Sequence, residues 1–325
     1  MKVRSMTAAV ALSLPLSAAP LVFEGGEGPG KDKHVVLVSG DEEYRSEEAL
    51  PMLGKLLAER HGFKCTVLFA INSKTGEIDP NEQTNIPGME AIGSADFVVL
   101  GLRFRELPDE DMKHLVDYVE AGKPLLGLRT STHAFRYSRD KESPYARWSF
   151  NSKEWDGGFG RQVLGETWIA HHGHHGKEGT RGVIVEENAG HPLLRGVEDV
   201  WGDTDVYTIN KLPEDATVLL DGQVVAGMTP DAPPVEGKKN DPMMPVAWVR
   251  DREVNGKTQK VICTTMGAAT DFVQPGLRRF VVNSAYWATG LEVPEELNVE
   301  IVGEFKPTGF GFNKFVKGRK PEDYR

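Results

Sequence analysis

Short apolar runs alternate with amphipathic segments through the first half of the chain. Strands are predicted at residues 34–39, 63–71, 96–100 and 124–128. Between them, residues 46–61 and 108–122 carry apolar side chains at helical spacing, and each of these segments ends at a glycine. Strands and helices that alternate in this way predict a parallel sheet flanked by helices.

The second half of the chain is less regular. Strand-like runs occur at residues 183–186, 217–220, 246–249 and 260–264, and a helix is predicted at 277–287. From Pro307 onward, glycine and phenylalanine alternate. This tail is too apolar to be free, so we expect it to lie across the body of the domain. The fold class is therefore α/β, a parallel sheet flanked by helices with a more irregular second half.

The N-terminus has the pattern of a secretion signal. Lys2 and Arg4 precede an apolar stretch at residues 7–16, and a small-residue cleavage site follows at 17–19. The stretch is too short to span a bilayer. We expect a signal peptide at residues 1–19, a Gly-rich linker at 20–33, and a periplasmic or extracellular location. The alternative is a disordered N-terminal tail.

The charge balance limits the class of partner. Aspartate and glutamate number 48 against 38 lysine and arginine residues, which gives a net charge of -10. An acidic chain lacks the basic excess that displaces counterions from nucleic acid or binds an anionic membrane. The only cysteines, Cys65 and Cys263, lie in apolar strand-like runs and predict buried thiols. We expect a small-molecule partner, no nucleic acid and no membrane span, and leave homo-oligomer formation open.

Polar residues follow the predicted parallel strands. The loops after parallel strands converge on one crevice, where ligands bind. Arginine side chains there offer paired donors for carboxylate, phosphate or vicinal hydroxyl groups. The alternative is that these arginines pair with Asp41, Glu42, Glu43 and Glu106. The predicted substrate-binding residues are Glu43, Tyr44, Arg103, Arg105, Arg129, Thr130 and Ser131.

A histidine-rich loop is the second candidate. Residues 168–175 read Trp-Ile-Ala-His-His-Gly-His-His. Neutral imidazoles bind transition metals and transfer protons near neutral pH. A divalent metal is therefore an open cofactor assignment, and no other cofactor is expected. The alternative is a solvated loop whose histidines bond to backbone carbonyls.

A third candidate is the segment 199–207, which contains Asp203 and Asp205. On an extended segment, residues two apart face the same side and can form a carboxylate pair with separated pKa values. The alternative is an ordinary turn. The predicted catalytic residues are His133, His171, His172, Asp203 and Asp205.

Several segments together resemble a known family. The run 124–135, Pro-Leu-Leu-Gly-Leu-Arg-Thr-Ser-Thr-His-Ala-Phe, is similar to the strand and turn of class I glutamine amidotransferases. There a cysteine nucleophile lies two residues after the glycine, and Arg129 holds that place here. Together with residues 34–44, 191–196, 203–207 and 264–267, the run resembles the ThuA-like (trehalose-utilisation) family, in an exported branch.

The resemblance implies a flavodoxin-like, class I glutamine amidotransferase-like fold at residues 34–291, with residues 292–325 as a C-terminal extension packed on the domain. It also implies an exported protein that acts on a trehalose-like disaccharide or keto-sugar, with the reaction undefined. Glutaminase activity is not expected, because the nucleophile is missing. Two alternatives stay open: a noncatalytic sugar- or anion-binding protein, and a metal-dependent hydrolase that uses the histidine-rich loop.

Overall fold

One ten-stranded sheet runs through the molecule. The computed structural model describes residues 19–325, so the predicted signal peptide lies outside the described residues except for Ala19. From edge to edge the strand order is β1-β3-β2-β4-β5-β10-β9-β8-β6-β7. In chain order the strands are β1 Leu21–Phe23, β2 His34–Gly40, β3 Lys64–Phe69, β4 Phe97–Leu102, β5 Leu125–Leu128, β6 Gly179–Ile184, β7 Trp201–Gly202, β8 Ala216–Val225, β9 Met244–Val254 and β10 Lys257–Thr264.

The first part of the sheet is parallel, as predicted. Strands β3, β2, β4, β5 and β10 run in one direction, while β1 pairs antiparallel with β3. Alternate residues of β2 enter cores on opposite faces, because successive side chains of a strand point in opposite directions. The core that contains Leu37 also contains residues of α1 and α3, and the core of Val38 contains residues of α2. The helices are α1 Ser46–His61, α2 Asp109–Glu120 and α3 Pro275–Ala288.

The rest of the sheet is antiparallel, whereas the sequence predicted a parallel sheet with a more irregular second half. Strand β10 pairs antiparallel with β9, β9 with β8, and β8 with β6. Val254 and Lys257 are partners across Asn255 and Gly256, whose φ values are 50° and 75°. This two-residue hairpin reverses the chain, so β9 cannot run parallel to β10. The fold is a mixed α/β sheet in which the parallel strands continue into an antiparallel half.

The C-terminal segment crosses the N-terminus of α1. We call residues 307–314 the C-terminal strap. The backbone N–H and hydroxyl of Thr308 each donate to Glu48 at 2.7 Å. The N–H of Gly311 donates to the carbonyl of Glu43 at 2.7 Å, and Arg45 Nη2 donates to the Gly311 carbonyl at 3.0 Å. The strap therefore lies beside the loop that follows β2.

Both cysteines are free, buried thiols within β3 and β10. Burial raises the pKa of both thiols. Among residues 19–325, no helix has the length and apolar character needed to cross a membrane.

Candidate functional site

Strand β5 ends in one helical turn, Arg129–His133. Arg129 has a φ of 42°, a left-handed conformation that is unfavourable for a residue with a side chain. Thr130 Oγ1 donates to Asp41 Oδ2 at 2.5 Å, and Ser131 Oγ donates to a backbone carbonyl of β4 at 2.7 Å. The structure thus places both predicted substrate-binding hydroxyls in buried bonds that hold the turn against its neighbours.

The side chain of Arg129 is buried among protein acceptors. Its Nη1 donates to the carbonyls of Asp205 and Thr265 at 2.7 and 2.8 Å. Its Nη2 donates to Asp205 Oδ1 at 3.0 Å and to the Tyr44 hydroxyl at 3.2 Å. The rings of Tyr44 and Tyr207 lie 4.4 and 4.1 Å from its guanidinium carbon. The buried guanidinium of Arg129 therefore fixes the position of Asp205.

Asp205 also bonds to two histidines. His171 Nδ1 donates to Asp205 Oδ2 at 2.7 Å, and His175 Nδ1 donates to Asp205 Oδ1 at 3.2 Å. The imidazole centroids are 4.9 Å apart. The Asp205 side chain is fully buried, whereas both imidazoles are 36% exposed. We call these three residues the histidine–aspartate cluster.

The backbone of the histidine-rich loop sets which side chains reach Asp205. His171 forms an antiparallel bridge with Tyr207, and the N–H of Gly173 donates to the Val206 carbonyl at 3.0 Å. A Cβ on Gly173 would lie 3.0 Å from the Cβ of Asp205. Glycine at this position therefore allows the loop to pack directly on the aspartate.

Two predicted catalytic histidines lie apart from this cluster. His172 Nε2 donates to the Lys239 carbonyl at 2.9 Å. The ring of His133 is buried against Phe104 and Trp168, with centroids 5.1 and 5.5 Å away. Burial, together with nearby arginine charges, holds the pKa of His133 well below its usual range. His133 is thus a neutral side chain in the wall of the site.

Asp203 and Asp205, the two residues of the predicted carboxylate pair, have different partners in the structure. Asp205 lies in the histidine–aspartate cluster, whereas Asp203 Oδ1 accepts a hydrogen bond from Thr270 at 2.5 Å. The carboxyl group that interacts with Asp203 is Asp271, whose pKa is raised to about 6 by burial and by the charge of Asp203. Of the two alternatives for this segment, the structure shows the turn, because the backbone after β7 bends at residues 203–204 and does not continue as an extended strand.

Asp205 is ionised despite its burial. Burial raises the pKa of this carboxyl group, but the hydrogen bond from His171 and the charge of Arg129 outweigh it and lower the pKa to about 2. A buried carboxylate that stays charged attracts positive charge to its surroundings. The cluster therefore combines a fixed negative charge with two accessible bases.

The other predicted arginines form ion pairs with the loop after β2. Arg103 pairs with Glu42, and its Nε lies 3.5 Å from Glu43 Oε2. Arg105 is buried and donates to Glu42 Oε2 at 2.8 Å and to three backbone carbonyls. Glu43 Oε1 lies 3.5 Å from Nε2 of His175. The structure brings Glu43 and Arg103 to the cluster and places Arg105 behind them.

Aromatic residues of the C-terminal strap cover one side of the cluster. The ring of Phe310 lies 5.5 Å from that of Tyr44 and 5.3 Å from that of His175. The ring of Phe312 is 52% exposed and lies 5.0 Å from the Arg103 guanidinium. The strap thus gives an otherwise polar site one apolar wall.

Sequence reasoning did not select His175 or Phe310. The histidine-rich loop was identified, but adjacent histidines have the same chemistry, and the bridge from His171 to Tyr207 is not visible in the sequence. Gly173, which lies between the histidines, was the one feature of the sequence that indicated close packing of this loop. The alternation of glycine and phenylalanine indicated a packed tail without indicating its location.

The fold and site define a mixed α/β protein with a polar centre at the carboxyl ends of its parallel strands. No protein-family model and no curated protein matches the sequence. The structure is similar to that of a protein described as ThuA-like from Parabacteroides merdae ATCC 43184, with 13% identity, coverage of 87% of this chain and 98% of that chain, and a TM-score of 0.51. A second such protein, from Bacteroides uniformis ATCC 8492, has 15% identity, coverage of 81% of this chain and 93% of that chain, and a TM-score of 0.48.

The chain therefore has the fold of the ThuA-like proteins. The similarity to the Parabacteroides merdae structure spans nearly all of that chain. The resemblance found in the sequence is confirmed at the level of the fold. At this sequence identity the similarity concerns the fold alone.

Proposed function

We propose that this protein is an exported enzyme that acts on a carbohydrate, either a trehalose-like disaccharide or a keto-sugar. One observation carries the proposal: the ionised, buried Asp205 holds His171 at 2.7 Å while the imidazole remains 36% exposed. An aspartate that accepts a hydrogen bond from Nδ1–H orients the ring and fixes the tautomer in which Nε2 carries the free lone pair. His171 is then an ordered base that a ligand can reach.

The chemistry that suits this centre is proton transfer on a sugar. A hydroxyl group, or a carbon next to a keto group, offers the proton that an imidazole base removes. Sugar rings also carry apolar faces, and binding sites combine aromatic walls with a few convergent polar groups. Phe310 supplies such a wall, while Glu43 and the partly exposed Arg103 supply polar contacts. Arg129 acts through Asp205 as a positioning residue.

Glutamine amidotransferase chemistry is not part of the proposal. Arg129 holds the place of the nucleophile, and its terminal nitrogens bond to protein acceptors. Cys65 and Cys263 are buried within strands, and burial raises the pKa of their thiols. Neither supplies a reactive thiolate near the cluster.

The test is turnover by the full chain of trehalose, related disaccharides and their keto derivatives, followed by NMR and mass spectrometry. His171→Ala is expected to lower kcat/KM by at least about 100-fold, since positioned acid–base groups contribute that much. His174→Ala, an exposed histidine of the same loop, is the matched control and should retain activity. Binding of a sugar without turnover would instead identify a noncatalytic sugar-binding protein. No turnover and no thermal shift across the panel would contradict both.

Export is tested separately in a Gram-negative host. We expect the product in the periplasm with an N-terminus near Pro20, because residues 1–19 have the charge and apolar pattern of a signal peptide. Replacement of the apolar stretch 7–16 by polar residues should retain the chain in the cytoplasm. An uncleaved, cytoplasmic product from the natural sequence would contradict this part of the proposal.

A further inference from the structure

We propose that the histidine–aspartate cluster binds a divalent transition metal, and this inference rests on the proposed function of the same site. One ligand atom each from His171, His175 and Asp205 lies within 4.8 Å of the others. The carboxylate is already 2.7 and 3.2 Å from the two Nδ1 atoms, so an ion bound there would replace the Nδ1 protons that both imidazoles donate to Asp205 in the metal-free cluster and release them to solvent. Ligand atoms on one tetrahedral zinc ion are about 3.3 Å apart, given bonds of about 2.0 Å.

The chemistry of the donors indicates the kind of metal. Two imidazoles and one carboxylate, without a thiolate, suit zinc, iron, cobalt, nickel or manganese better than soft Cu(I). Three protein ligands leave at least one coordination position for water or a substrate oxygen, as in catalytic rather than structural sites. Adjacent oxygens of a sugar are the chemical class that such a position accepts.

Neighbouring groups support the ligands in the manner typical of metal sites. Metal-bound histidines usually donate their second nitrogen to a carboxylate, which orients the ring. Glu43 Oε1 lies 3.5 Å from Nε2 of His175 and is in place for this role. Arg129 holds the Asp205 carboxylate through Oδ1, which leaves Oδ2 on the side of His171. The cluster is thus preorganised by residues that do not themselves bind the ion.

The charge balance around the cluster accommodates a cation. Asp41, Glu42, Glu43 and Asp205 interact with the charges of Arg103, Arg105 and Arg129, so carboxylates outnumber guanidinium groups in this network. The arginines pair with Glu42 and Asp205 Oδ1, and the imidazoles stay on the exposed side. A divalent ion at the imidazoles would change the net charge of the network from about -1 to about +1.

The test is direct metal binding by the full chain, purified without a polyhistidine tag and dialysed against a chelator. Titration calorimetry with Zn²⁺ should show about one equivalent bound, and Co²⁺ should give a visible absorption band of a site with nitrogen and oxygen ligands. His175→Ala and Asp205→Asn should each weaken Zn²⁺ binding by at least about 100-fold, and Glu43→Gln by about 10-fold.

His174→Ala is the matched control and should leave the affinity unchanged within error. Because Asp205 is buried and its variant can destabilise the fold, the decisive variant is His175→Ala, checked by circular dichroism. The absence of heat and of a cobalt band would overturn the metal proposal. Zn²⁺ binding that is retained in His175→Ala would also overturn the proposal. Loss of Zn²⁺ binding in His174→Ala would do the same.

Absence of the metal site and absence of enzyme activity give different experimental results. Turnover of a sugar by chelated protein that binds no zinc would overturn the metal site and leave the enzyme proposal intact, with His171 as a metal-free base. Zinc binding at the cluster without turnover of any sugar would support the metal site and contradict the proposed enzyme.

Discussion

Replacement of Arg129 by methionine leaves the buried Asp205 without its cationic partner. The guanidinium donates two hydrogen bonds to Asp205, one to its side chain, and bonds to Thr265 and Tyr44 as well. Removal of one member of a buried ion pair costs about 3–5 kcal/mol, because the remaining charge is uncompensated. We expect Arg129→Met to lower the free energy of unfolding by that amount at pH 7.5.

The pH dependence follows from Asp205. Its pKa of about 2, below the usual 3.8, stabilises the fold by roughly 2 kcal/mol above pH 3.8, and this is lost as the pH falls towards 2. We expect the loss of the Arg129 charge to raise the pKa of Asp205, because burial is then opposed only by the two histidines. The variant then protonates Asp205 at higher pH, so the stability difference from the natural protein should shrink between pH 7.5 and pH 5.

The assay is urea unfolding, followed by tryptophan fluorescence, at both pH values. Arg129→Met/Asp205→Asn should be more stable at pH 7.5 than Arg129→Met alone, because the neutral amide needs no cation. Arg139→Met is the matched control, since that arginine pairs with Glu106 while 57% exposed and should cost less than about 1 kcal/mol. A loss below about 1 kcal/mol for Arg129→Met, or an equal loss at both pH values, would refute the reasoning.

Three further predictions concern the wall, the loop and the core. Phe310→Ala should raise KM for the sugar by about 5- to 10-fold with little change in Tm, because it removes an aromatic wall rather than a core side chain; an unchanged KM would place the sugar elsewhere. Gly173→Ala should lower activity and Zn²⁺ affinity by about 10-fold, because the new methyl lies 3.0 Å from the Asp205 Cβ, whereas Gly190→Ala meets open space and should change neither. Burial lowers the pKa of His61 to about 4, so urea unfolding should show a stability loss of up to roughly 3 kcal/mol as the pH falls from 6.5 to 4. His61→Gln should flatten that dependence, and an equally steep profile in the variant would assign it to other groups.

The parallel half of the sheet was predictable because its signals are local. Strand β5 is an apolar run buried on both faces, and α1 ends at Gly62, which has the left-handed conformation that favours glycine. The antiparallel half of the sheet was harder to predict from the sequence. Strand β9 extends to Val254 through charged residues at 250–253, which interrupt the apolar pattern. The Asn255–Gly256 pair was the usable hairpin signal.

The candidate site was predictable as a set of residue types but not as a set of partners. His171 and Asp205 were both selected, yet their 2.7 Å contact joins positions 34 residues apart. Arg129 and Asp205 are separated by 76 residues. Such contacts depend on the register of β6 to β8 and on the bridge at Tyr207, and no local pattern encodes them.

Arg129 stands at the position where the sequence resemblance implies a cysteine nucleophile, and in our proposal this changes where the reactive groups lie. A cysteine at the end of β5 would act at the turn itself. An arginine there is longer and cationic, and its guanidinium crosses to Asp205 in the segment that follows β7. The guanidinium keeps that carboxylate ionised, and the ionised carboxylate orients the two imidazoles. In our proposal the turn after β5 therefore positions the reactive groups. The groups themselves belong to the antiparallel half of the protein, which a fold of parallel strands alone would not contain.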